Sequence, residues 1–292
     1  MSSKSTTEQK NIDIQEIVGL GEIADNYDTF VIDLWGVMHN GVTVFPEAMR
    51  ALQELRNASK TIAFLSNAPR RNSTAVAQLL ERGIKRQEYD HIMTSGEFCH
   101  FSLKNDSVEA IQDLGKNCYH IGATKDYCLF TEIDLKKVEQ LEESDFILNS
   151  GTPGWETDVT VYREFLGKAM ERGMPMVCAN TDMYVPYKGE LAICAGAIAR
   201  EYESIGGNVT YFGKPLKPIY QHLFEQIGAS SERALMIGDS FETDIRGANS
   251  FGIDSLLVQS GLHNRDLVSQ TVSSLAAKYT TVPTYTSPAL AW

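Results

Sequence analysis

The chain has 292 residues, of which 43% are hydrophobic, and a formal net charge of −12 at pH 7. This length suits one large domain or two modest ones, and the acidic balance argues against nucleic acid or an anionic membrane as a partner. The apolar runs are strand-sized, so we expect no membrane-spanning segment, and the polar N-terminus has no apolar signal region. The five scattered cysteines form no CxxC pair, so we expect neither a disulfide scaffold nor a zinc site. We expect a reducing, cytoplasmic setting instead.

Short β-branched runs alternate with helical patterns after residues 1–10, which we expect to be loose. Pro46 opens a helix, because proline is favoured in a first helical turn, and Gly83 follows another helix as a stop signal. In this part we expect strands at 29–34, 61–65 and 92–93, and a second helix at 74–82.

The same alternation continues to the C-terminus and predicts a mostly parallel, doubly wound α/β sheet. The middle of the chain has strand and helix signals of its own, and its length is enough for a second domain. We expect strands at 118–121, 146–148, 176–178, 209–212, 234–237 and 255–258, and helices at 159–170, 216–227 and 244–249.

Polar side chains follow four of the expected strands. Because the carboxyl ends of parallel strands lie on one edge of a sheet, where ligands bind, these groups can converge despite their wide separation in sequence. The groups are Asp33 after the first strand, Ser66 and Asn67 after the second, Lys214 after residues 209–212, and Asp239 and Asp244 after residues 234–237.

This set of groups suits Mg²⁺ and phosphate. Asp33 and Asp239 offer the hard oxygen ligands that Mg²⁺ prefers. Lys214 and the Ser66 hydroxyl can hold phosphoryl oxygens, and backbone amides in the turn at Gly36 can help. A free carboxylate oxygen of Asp33 can then attack phosphorus and form an aspartyl phosphate, while the metal neutralises the charge that would repel the attacking carboxylate.

The segments DLWGV, FLSNAPR, GKP and IGDSFETD resemble the four ordered motifs of the haloacid dehalogenase superfamily. Each motif alone is weak, but four in order, each after a strand, are a specific signal. TSGE at 94–97 and ANTDMYVP at 179–186 resemble class IIA, the capped group that includes NagD-type, p-nitrophenyl and pyridoxal phosphate phosphatases. The resemblance covers nearly the whole chain. Together with the strand pattern, it implies a catalytic core at 11–99 and 207–292 and an α/β cap domain at 100–206.

The resemblance implies a role for each motif residue. Asp33 would be the nucleophile and a Mg²⁺ ligand, and Ser66 and Lys214 would bind phosphate. Asp239 would be a second metal ligand, with Asp244 as a further ligand or as support behind it. The backbone carbonyl of Trp35 would also ligate the metal, which any side chain at that position allows.

The resemblance also implies contacts with the substrate and between subunits. Asn67 would lie beside the substrate, and the cap segment with Asn180 and Asp182 would reach the substrate. An ordinary turn at 180–182 is the alternative. Dimerisation through the caps is a further implication.

Trp35 departs from the family pattern. Family phosphatases usually have aspartate there, as general acid to the leaving oxygen and then base for the attacking water, help that is worth ~10² to 10⁴ in rate. Indole has one donor N–H and no usable basic site near neutral pH, so Trp35 is unable to do this job. His39, four residues on, is the nearest titratable side chain that could bind the substrate and supply this proton, or it is a structural histidine.

We therefore expect a Mg²⁺-dependent phosphatase that acts on a small phosphometabolite, such as a sugar phosphate, through an aspartyl phosphate. The rival interpretations are a related phosphotransfer enzyme, a catalytically weakened phosphometabolite-binding or regulatory protein, and a phospho-accepting receiver. The retained nucleophile Asp33 argues against a protein that only binds, and the large insertion argues against a receiver.

Overall fold

The protein is described by a computed structural model that covers residues 14–292. The expectation for residues 1–10 lies outside this range. Across the described residues, no helix combines the length and apolar character needed to cross a membrane. The strands, in chain order, are Gln15–Glu16 (β1), Thr29–Ile32 (β2), Thr61–Ser66 (β3), His91–Thr94 (β4), Asn117–Ile121 (β5), Lys136–Val138 (β6), Phe146–Asn149 (β7), Met176–Cys178 (β8), Tyr184–Tyr187 (β9), Glu190–Ile193 (β10), Val209–Tyr211 (β11), Ala234–Gly238 (β12), Asp254–Val258 (β13) and Tyr285–Ser287 (β14).

Of the eight α-helices in the described residues, five lie where helices were expected, with shifts of a few residues at their ends, and those at 95–105, 195–204 and 272–279 were not foreseen. The expected helix at 244–249 is preceded by a π-helical turn, Phe241–Ile245, that carries Asp244. The α-helices are Pro46–Asn57 (α1), Asn72–Glu81 (α2), Ser95–Asn105 (α3), Arg163–Glu171 (α4), Ala195–Ser204 (α5), Lys217–Ile227 (α6), Arg246–Phe251 (α7) and Val272–Tyr279 (α8).

A seven-stranded sheet forms the core, in the order β1-β14-β13-β12-β2-β3-β4, and all of its neighbouring strands are parallel. Strand β2, in the interior of this sheet, is wholly buried because both faces are covered, which explains its continuous apolar run. Successive side chains alternate between faces. Phe30 and Ile32 pack with one apolar cluster that includes Leu52 of α1, whereas Val31 packs with the other, which includes Leu223 of α6. The predicted doubly wound sheet is confirmed.

A second, five-stranded parallel sheet lies between the two core segments of the chain, in the order β11-β8-β7-β5-β6. One face packs against α4 and α5 through Leu166 and Ile198. The other face shares an apolar cluster with the core, which includes Phe98 of α3 together with Phe146 and Val177 of this sheet. This sheet and its helices form the predicted α/β cap.

Two chain segments cross the expected limits between core and cap. The strand at residues 209–212 was expected in the core, but β11 pairs with β8 in the cap sheet, so the chain returns to the core only after Tyr211. Helix α3 runs through the expected limit at residues 99 and 100. The antiparallel hairpin β9–β10 and the edge strands β1 and β14 were not foreseen, because short strands of mixed polarity give little periodic signal.

We predict that Gly96→Ala destabilises the protein by about 1–3 kcal/mol, as overpacking commonly does. A Cβ at Gly96, in the first turn of α3, would lie 2.1 Å from the backbone nitrogen of Arg70 and 2.5 Å from the carbonyl carbon of Pro69. Backbone atoms are unable to rotate away as a side chain does, so α3 or the loop that follows β3 has to shift. Urea unfolding measures the change in the free energy of unfolding.

The same substitution in α4 is the matched control. A Cβ at Gly167 meets no atom within 4 Å, so Gly167→Ala removes only a helix-interior glycine and is expected to stabilise by roughly 0.5–1 kcal/mol. A Gly96→Ala protein as stable as the Gly167→Ala protein would contradict the close approach of α3 to the loop.

Candidate active site

Three neighbouring core strands bring their terminal acidic and hydroxyl residues to one edge of the sheet. Strand β2 lies between β12 and β3. Asp33 directly follows β2, Asp239 directly follows β12, and Ser66 is the last residue of β3. The Asp33 amide donates to the carbonyl of Ile237 at 2.9 Å, which extends the β2–β12 pairing up to the carboxylate itself. The expected convergence at the carboxyl edge of the sheet is therefore present.

Lys214 places a fully buried ammonium group at the centre of this edge. Its Nζ donates to Asp33 Oδ1 at 2.5 Å, to Asp244 Oδ1 at 2.6 Å and to the carbonyl of Leu65 at 3.0 Å. These contacts use all three N–H donors of the ammonium. Burial by itself lowers the pKa of Lys214, but the charges of Asp244 and Asp33 outweigh it and raise that pKa above its ordinary value. Lys214 is therefore charged, and it fixes the orientation of both carboxylates.

Asp33, Asp239 and Asp244 form a compact carboxylate cluster, in which one oxygen of each lies within 4.8 Å of the others. Asp244 is already fully engaged: Oδ1 accepts from Lys214, and Oδ2 accepts from the amides of Asp239 and Ser240, both at 3.1 Å. Asp239 Oδ2 accepts only from the Leu262 amide, at 2.7 Å. Asp33 and Asp239 therefore keep oxygens to offer to a cation, while Asp244 supports them from behind.

The electrostatics of the cluster favour an added cation. Three buried carboxylates face a single ammonium, so the fully ionised cluster lacks two positive charges. Burial raises the pKa of Asp239 well above its ordinary value, and the nearby charges of Asp33 and Asp244 raise it further. Burial likewise raises the pKa of Asp33, against the opposing effect of Lys214. A divalent cation supplies the missing charge, and the hard oxygen donors suit Mg²⁺.

The turn after β2 approaches the cluster closely because residue 36 is glycine. Gly36 has a φ of +82°, and a Cβ there would lie 1.9 Å from Asp239 Oδ2. Its amide donates to the carbonyl of His39 at 2.8 Å, which closes the turn. The peptide that carries the Trp35 carbonyl is thus held next to Asp239, while the indole of Trp35 faces the cap.

His39 does not fit the role of a replacement general acid. Its ring is 6% exposed, and its Nδ1 accepts a hydrogen bond from the Gly41 amide at 3.0 Å. Burial, reinforced by the charge of Arg82, lowers the pKa of His39 to about 4. The imidazole is therefore neutral at pH 7 and has no readily lost proton. The expectations that His39 supplies the proton or binds substrate give way to a structural role in the 36–41 turn.

Ser66, the last residue of β3, and Asn67, the next residue, have different hydrogen-bond partners. Ser66 Oγ accepts from the Ala68 amide at 3.2 Å, so its own O–H remains able to donate to a ligand. Asn67 instead joins segments of the protein: its Oδ1 accepts from the Lys214 amide at 2.8 Å, and its Nδ2 donates to Asp182 Oδ1 at 2.7 Å. The expected substrate contact of Asn67 is not supported, because both ends of its amide bind protein groups.

The cap segment with Asn180 and Asp182 reaches the core loops as expected. Asn180 Oδ1 accepts from the Asp182 amide at 2.8 Å, which forms a local turn. Through its bond with Asn67, Asp182 brings a carboxylate to the edge of the site, and burial raises the pKa of this group. The segment is therefore a turn that lies beside the core loop with Asn67, and substrate contacts of Asn180 and Asp182 stay predictions.

The sequence analysis missed two residues that hold the cap segment against the core. Thr181 Oγ1 donates to the carbonyl of Lys214. Ser95 Oγ lies 2.7 Å from the carbonyl of Asn67 and 2.6 Å from that of Ala179, and its single O–H can donate to either. Ser95 lies in TSGE and Thr181 in ANTDMYVP, two segments that carry the family resemblance, but only the partner segments reveal what their hydroxyls bind.

Comparisons with known proteins agree with this fold. The family model of haloacid dehalogenase-like hydrolases matches residues 30–136, and a second model, HAD-hydrolase-like, matches residues 211–286. The structure of a haloacid dehalogenase-like hydrolase from Brucella suis 1330 is similar, with a TM-score of 0.82, 31% identity, and coverage of 94% of this chain and 99% of that one.

Two named relatives extend the similarity. The 5'-nucleotidase YutF of Bacillus subtilis is 25% identical over 242 residues, 82% of this chain and 90% of the relative. An acid sugar phosphatase of Staphylococcus epidermidis is 23% identical over 239 residues, 81% of this chain and 88% of the relative. The chain therefore belongs to the haloacid dehalogenase-like hydrolases, and its parallel core sheet with an inserted α/β cap is the architecture of the class IIA group.

Proposed function

We propose that this protein is a phosphoric monoester hydrolase that removes phosphate from a small phosphorylated metabolite. The observation that carries the proposal is the position of Asp33, whose Oδ1 is held by Lys214 at 2.5 Å at the carboxyl edge of the core sheet. A carboxylate fixed through one oxygen presents the other to an incoming phosphorus atom. A protein that only binds its ligand has no need for such a nucleophile.

In the proposed reaction, Asp33 Oδ2 attacks phosphorus and forms an aspartyl phosphate, while the bond from phosphorus to the substrate oxygen breaks. The Ser66 hydroxyl donates to a phosphoryl oxygen, and the charge of Lys214 stabilises the negative charge that spreads over these oxygens. Water then hydrolyses the aspartyl phosphate and regenerates Asp33. Asp244 acts through Lys214, because its Oδ1 fixes the ammonium at 2.6 Å.

Asp239, the Trp35 carbonyl and Asp33 would hold Mg²⁺, Asp33 through the oxygen that does not attack phosphorus, with Asp244 in support. When bound, Mg²⁺ supplies positive charge that holds the phosphate and reduces its repulsion of the attacking carboxylate. The two carboxylates with free oxygens, and the charge deficit of the cluster, support this ligand set.

The substrate is proposed by its chemical class only. The names of the relatives, a 5'-nucleotidase and an acid sugar phosphatase, support a small phosphorylated molecule with a sugar or nucleoside part. Dimerisation through the caps and a cytoplasmic setting stay predictions.

We predict that Asp33→Asn lowers phosphate release by at least about 10³-fold, in line with the loss of a nucleophile in other enzymes. The amide is nearly the same size as the carboxylate but lacks its negative charge and is a poor nucleophile. Steady-state phosphate release from a panel of phosphomonoesters measures the effect, with the exposed Asp25→Asn as control. Equal rates for Asp33→Asn and wild type would refute the mechanism.

We predict that Mg²⁺ raises the free energy of unfolding and that Asp239→Asn removes this effect. A cation at 100 times its dissociation constant stabilises the folded state by about 2.7 kcal/mol. Without metal, Asp239→Asn is expected to be more stable than wild type at pH 7, because an acid whose pKa is raised on folding destabilises the folded state above its unfolded pKa. Thermal unfolding with and without Mg²⁺ measures both effects.

Asp134→Asn, at a side chain that is 84% exposed, is the control and is expected to keep the full Mg²⁺ response. An unchanged Mg²⁺ response of Asp239→Asn would exclude Asp239 as a ligand.

We predict that Trp35→Asp raises the turnover of esters with poor leaving groups, by as much as ~10²-fold if the new carboxyl acts as general acid. The turnover of p-nitrophenyl phosphate is expected to change much less, because its leaving group needs little protonation. The ratio of the two rates is the measurement. An equal change for both substrates would mean that Trp35 affects the position of the cap and not proton transfer.

A further inference from the structure

Three aromatic side chains meet beside the nucleophile where the core faces the cap. We call Trp35, Trp155 and Tyr187 the aromatic wall. Trp155 and Tyr187 are stacked, with ring centroids 3.7 Å apart and an interplanar angle of 10°. The Trp35 ring lies 6.4 Å from that of Trp155, at an angle of 45°. Trp35 is two residues from Asp33 and stands where the family resemblance puts the acid that serves the leaving oxygen, so in the proposed reaction the wall lies on the leaving-group side.

Separate elements hold the wall in place. Trp155 lies in the loop after β7, and the carbonyl of the next residue, Glu156, accepts from the Ile193 amide of β10 at 2.8 Å. Tyr187 ends β9. The turn of this hairpin is bound to the core, because Arg265 Nη2 donates to the carbonyl of Gly189 at 2.8 Å. The stacked pair is therefore positioned by contacts within the cap and by a contact from the core.

Trp35 is held just as firmly from the core side. A Cβ at Gly41 would lie 2.2 Å from Cη2 of Trp35, so the indole lies directly against a residue that has no side chain. The ring of His39 meets Trp35 edge-on, with centroids 5.6 Å apart. The indole therefore occupies a built position in the 35–41 turn.

Trp155 has a free ring surface. The residue is 43% exposed although Tyr187 stacks on one face of its ring, which leaves the other face and the edges for a ligand. Trp35 is too distant and too tilted to stack on it. Lys125 Nζ lies over the ring at 5.2 Å from its centre, on a flexible side chain that a ligand can displace or contact. Large exposed aromatic surfaces of this kind commonly serve recognition.

We propose that the aromatic wall is a stacking site for the leaving group, and that this enzyme prefers phosphomonoesters whose alcohol part carries a planar aromatic ring next to the ester oxygen. The proposal rests on the phosphatase activity proposed above and names its substrate class. Trp155 supplies the stacking face, Tyr187 supports it from behind, and Trp35 borders it at an angle.

The chemistry of the leaving group agrees with this assignment. When the ester bond breaks, its electron pair stays on the leaving oxygen, which must carry the charge or take a proton. Position 35 offers only an indole, so an oxygen that carries the charge well is favoured. A phenolic oxygen, with a pKa near that of tyrosine, about 10, does so far better than an aliphatic one, whose pKa is much higher and near that of water. The aryl oxide then takes its proton from solvent.

Four small esters separate the ring from the acidity of the leaving group. Phenyl phosphate has both a ring and an acidic leaving group, and benzyl phosphate has a ring but an ordinary alcohol. Trifluoroethyl phosphate has an acidic alcohol without a ring, and cyclohexyl phosphate has neither. For the wild-type enzyme with Mg²⁺, we expect kcat/KM to be highest for phenyl phosphate and lowest for cyclohexyl phosphate.

Trp155→Leu is the decisive variant. We expect it to lower kcat/KM for phenyl and benzyl phosphate by roughly 5- to 10-fold, in keeping with the strength of aromatic pairs, and to leave trifluoroethyl and cyclohexyl phosphate within about twofold. Trp155→Phe, which keeps an aromatic face, should restore most of the loss. Trp292→Leu is the matched control, because that tryptophan is also exposed, at 41%, but packs beside Gly21.

The outcomes are distinguishable. Equal losses for all four esters in Trp155→Leu would overturn the proposal and make the wall a contact that only positions the cap. No change for any ester in that variant would overturn it as well. Absence of phosphate release from every ester by the wild-type enzyme would instead refute the proposed phosphatase function.

Discussion

The buried ammonium of Lys214 is the interaction on which the site depends. It donates to Asp33 and Asp244 and lies at the centre of three segments that are distant in sequence. A buried charge is tolerated only when it is paired and hydrogen-bonded, and removal of one partner typically costs about 3–5 kcal/mol. The same residue connects core and cap, because its amide donates to Asn67 and its carbonyl accepts from Thr181. Charge balance at the site and attachment of the cap segment are thus coupled at one residue.

Trp35 changes one part of this arrangement and leaves the rest intact. Asp33, the ammonium and the carboxylate cluster are all in position, but an indole stands where the family resemblance predicts a carboxylic acid. The neighbouring His39 is neutral at pH 7, because burial lowers its pKa to about 4. At this position the site has an aromatic surface and no carboxylic acid, and this surface continues into Trp155 and Tyr187 of the cap. The substitution therefore bears on the leaving group and not on attack at phosphorus.

The cap is joined to the core by more than two linking segments. Helix α3 runs between the two sheets, and Phe98 on this helix packs in the cluster that contains both Val31 of the core and Val177 of the cap. Strand β11 completes the cap sheet immediately before Lys214. Because the cap and Lys214 share this stretch of chain, a change in cap packing near β11 is transmitted directly to Lys214.

The sequence by itself determined the alternation of strands and helices, the parallel core sheet and the polar groups at its edge, because apolar periodicity and strand-end motifs are local properties of the chain. Only the tertiary structure decided the partners of these groups. It assigned residues 209–211 to the cap sheet, used the Asn67 amide as a bridge, gave His39 a neutral ring and brought Trp155 to Trp35. Each of these outcomes depends on pairing, burial or proximity between residues far apart in sequence, and no local pattern encodes such contacts.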